Sequence, residues 1–225
     1  MLSMKTLYTA VLVTGMLVAG PLQAATVPFT EDFPADAANW KDAANADLTY
    51  IAAGGPDGSG YASGSFSFAA QNDGDTPVLL RGHDGFDSSS DAFVGNWIAD
   101  GVTEFSAFVR HSAPVPMNFF TRFVSSFNFP GAVALDFVPV LPNTWTKVTF
   151  NVTPASPQFL TFETSDHTTV FSNIGNVQLG VSVPAALAGS TFPITFDLDQ
   201  PTITPEPATA GLMAAGVLLM MRRRA

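Results

Sequence analysis

An all-β fold, an antiparallel β-sandwich of the jelly-roll kind, is predicted by three observations. Short runs of residues alternate apolar and polar on a two-residue period, which is the signature of a strand with one face in a core. Clusters of Gly, Pro, Asn and Asp punctuate these runs every few positions. No long stretch of the body repeats at 3.6 residues, and the composition favours Phe (20 of 225 residues) with no cysteine at all. About eight to ten short strands with one apolar face each call for two sheets packed face to face.

The elements follow in chain order. Lys5, an apolar stretch over residues 7–18 and the segment Pro21-Leu22-Gln23-Ala24 read as a secretory signal peptide over residues 1–24. Leu22 is larger than the residue usual at that place, which fixes the cut only to within a few positions. The sandwich domain then runs over 25–200, with a short helix expected around 34–46. Strands are expected at 48–52, 61–68, 103–110, 118–124 and 133–138. Val148, Phe150 and Val152 alternate with Lys147, Thr149 and Asn151; Val177, Leu179, Val181 and Val183 alternate with Gln178, Gly180 and Ser182; Ile194, Phe196 and Leu198 alternate with Thr195, Asp197 and Asp199. Turns fall at Gly54-Gly55-Pro56-Asp57-Gly58, Asn72-Asp73-Gly74-Asp75 and Leu141-Pro142-Asn143, and residues 84–91 read as a polar loop. No internal repeat is evident, which argues against a propeller or solenoid. Residues 201–207 read as a linker carrying Pro205-Glu206-Pro207, and 208–225 as an apolar helix closed by Arg222, Arg223 and Arg224.

That tail sets the address. Residues 208–221 hold no charge, and as a helix they would reach roughly 21 Å against a hydrocarbon core of roughly 30 Å. The arginines keep their end cytoplasmic, so the body lies outside. Pro205 and Pro207 hold the preceding backbone extended. This order of parts resembles the PEP-CTERM sorting signal. The resemblance implies that Pro205, Glu206 and Pro207 are recognised by an exosortase, a membrane-embedded transpeptidase-like enzyme of exopolysaccharide-making bacteria. It implies a transient stop in the inner membrane, through the tail alone, and then delivery to the outer envelope or extracellular matrix of a biofilm.

Charge narrows the partners. The whole chain carries a formal net charge of −10, but Lys5 and the three terminal arginines lie in the ends, and Glu206 is the only acid outside the body. Five basic side chains remain against 18 acidic ones, so the body stands near −13. Such a field repels nucleic acid and anionic lipid. The absence of cysteine excludes thiol chemistry and leaves stability to the core or to bound metal.

The body resembles laminin B-type and carbohydrate-binding jelly rolls through Glu31-Asp32-Phe33 with Trp40, through residues 54–61 ahead of an early strand, and through Phe196-Asp197-Leu198-Asp199-Gln200 near its end. Asp197 and Asp199 are two apart, so both point to the non-core face. If the first and last strands are neighbours, as the resemblance implies, Glu31 or Asp32 would meet them and offer hard oxygen ligands to a structural Ca²⁺. The alternative is that these carboxylates simply face water.

Trp145, Trp97 and Tyr61 are candidate platforms for sugar rings, with packing against the core as the other role open to each. The expected function is therefore a non-catalytic structural or adhesive matrix protein able to bind carbohydrate. The competing expectation is a polysaccharide-modifying enzyme, but Glu31, Glu104 and Glu163 are far apart in sequence. There is also no Gly-x-Ser-x-Gly elbow, no His-Glu-x-x-His and no phosphate loop.

Overall fold

The computed structural model describes residues 24–206. Twelve strands dominate it: β1 (Phe29–Thr30), β2 (Lys41–Asp42), β3 (Thr49–Ile51), β4 (Tyr61–Phe66), β5 (Val78–His83), β6 (Val102–His111), β7 (Phe119–Ser125), β8 (Gly131–Leu135), β9 (Thr146–Asn151), β10 (Phe159–Thr161), β11 (Ile174–Val181) and β12 (Ile194–Pro205). One α-helix, α1 (His167–Phe171), and two 3-10 turns complete the described residues. The strands form two six-stranded antiparallel sheets. Sheet A has the order β3-β4-β12-β6-β9, with β1 also on β12; sheet B has the order β10-β8-β7-β11-β5-β2. This is the expected jelly-roll β-sandwich.

The two-residue alternation works as expected where strands are regular. Val148, Phe150 and Val152 are buried at 0–2% exposure, as are Ile194, Phe196 and Leu198. Both sheets turn such rows inward, and the space between them is filled by aromatic rings. Phe105 packs on Phe123 at 5.7 Å, Phe123 on Trp97 at 5.3 Å, and Trp97 on Phe171 at 5.9 Å. Such pairs each contribute about 1 kcal/mol beyond the area they bury.

Three expectations change. Residues 34–46 form turns and β2 instead of a helix, because Trp40 must drive its ring inward against Gly82, where a Cβ would sit 2.8 Å from it. Residues 84–91 are a built corner, not a free polar loop: Asp87, Ser89 and Ser90 adopt φ of 51–56°, and Ser89 Oγ accepts a 2.9 Å hydrogen bond from Trp40 Nε1.

The stretch from Pro201 is no linker. A bulge at Gln200 (φ 49°) inserts one residue opposite β6, so Asp199 pairs with Phe108 but Thr202 with Ser106. The inserted residue reverses the inward phase and returns Ile203 to the core beside Phe105. The strand continues to Pro205, opposite Val102, and Glu206 N donates to Gly101 O at 3.1 Å. The signal peptide, Pro207, the apolar tail and Arg222, Arg223 and Arg224 lie outside the described residues.

Candidate functional site

The outer faces of the two sheets hold nearly all the chemistry. On sheet A, β4, β12 and β6 lie side by side, with Ser63 opposite Asp197 and Asp197 opposite Arg110. Arg110 Nε donates to Asp197 Oδ2 at 2.8 Å and its Nη2 to the Tyr61 hydroxyl at 2.8 Å. Ser63 Oγ donates to Asp197 Oδ1 at 2.6 Å. The guanidinium lies 4.6 Å from the centre of the Trp145 ring and 5.0 Å from that of Tyr61, and the two rings meet edge to face. Burial opposes the Arg110 charge, but the Asp197 carboxylate outweighs it and raises the guanidinium pKa. Every group in this cluster has a partner within it.

Asp199, the next outward residue on β12, is different. It is fully buried (0% exposed) beneath the 54–60 loop. Ser59 Oγ donates to its Oδ2 at 3.2 Å, and Gln200 N to its Oδ1 at 2.8 Å. A Cβ on Gly55 would come within 2.5 Å of Oδ2, so only glycine lets the loop close there. Burial pushes the Asp199 carboxyl up to about 6; the two hydrogen bonds oppose this, and the nearby Asp57 and Asp32 charges add to it.

The expected four-carboxylate metal set does not assemble. Asp197 is held by Arg110, Glu31 Oε1 accepts from Phe33 N at 2.9 Å, and Asp32 is exposed. Among the described residues no three His, Cys, Asp or Glu side chains stand together as a metal site.

The expected platforms separate in the same way. Trp97 is wholly buried, with Nε1 donating to Phe93 O at 2.8 Å, so no ring face is left for a ligand. Tyr61 is only 9% exposed, under Arg110. Trp145 is half-buried, tied through Nε1 to Gly54 O at 2.9 Å.

Sheet B carries a second row that the sequence reading did not single out. Lys41, Arg81, Gln178, Arg122 and Val133 stand in register on neighbouring strands β2, β5, β11, β7 and β8. They share the outer face because the residues flanking them, such as Leu80, Leu179 and Phe123, point inward. Arg122 grips Glu163 through two bonds, Nε to Oε1 at 2.5 Å and Nη2 to Oε2 at 2.7 Å, and this holds the Glu163 carboxyl below its usual range. Arg122 Nη1 donates to Gln178 Oε1 at 3.2 Å, and Gln178 Nε2 to Asn128 Oδ1 at 3.0 Å.

Asn128 sits at the tip of the β7–β8 hairpin between Phe127 and Phe129, which are 88% and 56% exposed. At the opposite edge Lys41 pairs with Asp47 and lies 5.2 Å from the Phe86 ring centre. Asn176 and His83 adjoin the row, and Asn176 Oδ1 is buried without a hydrogen bond. The signal for this site was a lone arginine inside each of two apolar strands, Leu79-Leu80-Arg81 and Phe119-Phe120-Thr121-Arg122, in a body with only five basic residues.

Among the described residues the glutamates do not converge, and the one His–carboxylate contact, His83 Nδ1 to Asp84 Oδ1 at 2.7 Å, joins neighbours in the chain. Glu31, Glu104 and Glu163 occupy three separate places, each with its own local partner. His111 is buried, and burial lowers its pKa; its Nε2 contacts Val140 O at 3.0 Å. His167 Nε2 contacts Val152 O at 2.7 Å, and His83 Nδ1 accepts from Gly85 N.

No protein-family model matches the sequence, and no curated protein does. Solved structures do align. A xylanase of Clostridium thermocellum with CBM22-1 and GH10 modules, complexed with xylohexaose, aligns at TM-score 0.45 and 16% identity over 79% of this chain. The CBM22-1 xylan-binding domain of a Paenibacillus barcinonensis xylanase aligns at TM-score 0.46 and 14% identity, over 83% of this chain and 100% of that domain. An exo-β-agarase aligns at TM-score 0.49 and 11% identity over 79% of this chain. The chain spans 28% of the first of these and 24% of the agarase.

Proposed function

We propose that the body is a non-catalytic polysaccharide-binding β-sandwich and that its ligand lies across the outer face of sheet B. One observation carries this reading: Arg122, Gln178 and Asn128 are bonded to one another, Arg81 stands next to Gln178 in register, and exposed Phe rings lie at the rim. Sugar hydroxyls are met by such amides and guanidiniums, and the apolar C–H faces of a sugar by the faces of aromatic rings. Groups already ordered in the free protein lose little entropy on binding. The dispersed glutamates and locally bonded histidines favour binding over hydrolysis. Trp145 remains a second, half-buried ring on sheet A, tied into a structural cluster.

Export through residues 1–24, sorting by an exosortase through Pro205, Glu206, Pro207 and the arginine tail, and residence in the outer envelope or matrix complete the proposal. They are supported by the order of sequence parts. The role there is structural or adhesive. A Ca²⁺ ion, if bound, would be drawn to Asp199, the carboxylate that burial disfavours most.

Affinity electrophoresis of the full chain through gels containing soluble polysaccharides tests the binding reading. Retardation by at least one polymer, reduced in Gln178→Ala and retained in Trp145→Ala, is expected. Retardation lost in Trp145→Ala and unaffected by Gln178→Ala would move the site to sheet A. In the native host, Pro205→Ala with Pro207→Ala should leave the chain unprocessed; normal release would refute the sorting reading.

A further inference from the structure

Among the described residues there are five Lys and Arg side chains, and four have a carboxylate within 4.0 Å: Lys41 with Asp47, Arg110 with Asp197, Arg122 with Glu163 and Lys147 with Glu104. Arg81 has none. Its Nη1 donates to a neutral acceptor, Asn45 Oδ1, at 3.2 Å, while its Nε is buried and makes no hydrogen bond. Burial lowers its pKa; the charge of Asp42 raises it and that of Arg122 lowers it again, so the guanidinium is poorly compensated where it stands. In a body near −13, with 18 carboxylates available, Arg81 is the one described Lys or Arg that makes no ion pair.

The neighbouring arginine on the same row shows what such an edge accepts. Arg122 presents Nε and Nη2 side by side and closes them on both oxygens of Glu163. That parallel fork is the geometry in which guanidinium binds carboxylate best, and an ammonium cannot reproduce it. In Arg81 the equivalent edge is unused, because its single bond goes through Nη1. Arg81 is second in the row, flanked by Lys41 and Gln178.

We propose that Arg81 is the anchor for a carboxylate on the polymer, so that the ligand class is an acidic polysaccharide containing uronic acid units. This rests on the assignment of the binding face to sheet B and sharpens it from any polysaccharide to one class. Nε is buried, so the bidentate grip requires a rotation of the Arg81 side chain as the carboxylate arrives. Sugar hydroxyls beside the carboxylate would meet Lys41 on one side and Asn128 on the other, while Gln178, 3% exposed, holds Arg122 and Asn128 in place. The acidic body repels such a polymer at long range, so the attraction is local. Moderate salt, which shortens the Debye length to about 8 Å at 0.15 M, should help association or leave it unchanged.

The test is affinity electrophoresis and calorimetry of the full chain with polygalacturonate, with its carboxyl-reduced neutral form and with dextran sulfate. The proposal expects binding to polygalacturonate at least tenfold tighter than to the reduced polymer, lost in Arg81→Gln and weakened in Arg81→Lys, with all variants melting as the wild type does. Equal binding to the acidic and reduced polymers, dependent on Gln178, would overturn the carboxylate assignment while leaving sheet B as the binding face. Binding to dextran sulfate and polygalacturonate alike, unchanged in Arg81→Lys, would reduce the effect to charge alone and overturn the assignment. Failure to bind any polymer would remove both this inference and the reading beneath it.

Discussion

Arg110 and Arg81 are each an arginine within a strand, on the outer face of a six-stranded sheet, yet their surroundings are opposites. Arg110 has a buried carboxylate at 2.8 Å, a tyrosine hydroxyl at 2.8 Å and two aromatic rings against its plane. Arg81 has one amide at 3.2 Å and a buried Nε with nothing to donate to. The difference separates a side chain spent on holding the fold from one left to hold something else. Sheet A is closed on itself by its own cluster and by the 54–60 loop. Sheet B is ordered but still has hydrogen-bonding capacity to offer.

The largest effect that can break this comparison is on stability. Arg110→Ala strands Asp197, only 5% exposed, without its cation, and should destabilise the fold by about 3 kcal/mol. Adding Asp197→Asn should recover much of that loss in thermal melts. If Arg110→Ala melts like the wild type, sheet A is not the structural face described here.

Asp199 comes next. Its folded pKa of about 6 lies above its ordinary value, so the folded state holds that proton more tightly than the unfolded chain does. The associated stability is fully present below about pH 4 and is lost as pH rises through 6. Asp199→Asn should therefore stabilise the fold at pH 7 in the presence of EDTA by about 2 kcal/mol after allowance for solvent screening, read as a higher melting temperature, and have little effect at pH 4. Glu163 and Asp57, whose pKa values are lowered, act in the other direction, and their contribution is lost only as pH falls below about 4. If Ca²⁺ binds beside Asp199, it should raise the wild-type melting temperature at pH 7 and leave Asp199→Asn unmoved. A rise of equal size in both would exclude Asp199 as a ligand.

Trp145→Ala should destabilise by about 1–2 kcal/mol, since it removes one face from the Arg110 cation and one edge contact from Tyr61. Smallest of all, Arg81→Gln should stay within about 0.5 kcal/mol of the wild type, because no ion pair is lost. A large loss there would mean that Arg81 is a structural residue like Arg110.

The fold was legible where strands are regular and long. The alternation in 147–152, 177–183 and 194–199 reports the inward rows correctly, because a half-buried strand leaves that pattern directly in the sequence. It fails at bulges. The extra residue at Gln200 reverses the phase, so Thr202, Ile203 and Thr204 no longer continue the run before them, and a strand end was mistaken for a linker. The two-residue β1 and β2 are too short to show a period. The region 34–46 looked helical only because the inward pull on Trp40 from Gly82, 42 residues on, is invisible locally.

The site was less legible for a related reason. Trp145, Trp97 and Tyr61 were chosen by residue type, and tertiary packing spends two of them in the core or under Arg110. The sheet B row depends on register across five strands, which no local pattern carries. What sequence alone held was the scarcity of basic residues, and that scarcity makes an unpaired Arg81 meaningful.

The most direct test of the comparison reads both arginines in one experiment. Arginine Nε–H resonances of the full chain can be followed by NMR as trigalacturonate is added. The account predicts that the Arg81 signal shifts and saturates while the Arg110 signal stays in place. Movement of Arg110 with Arg81 unmoved, or no movement of either, would contradict it.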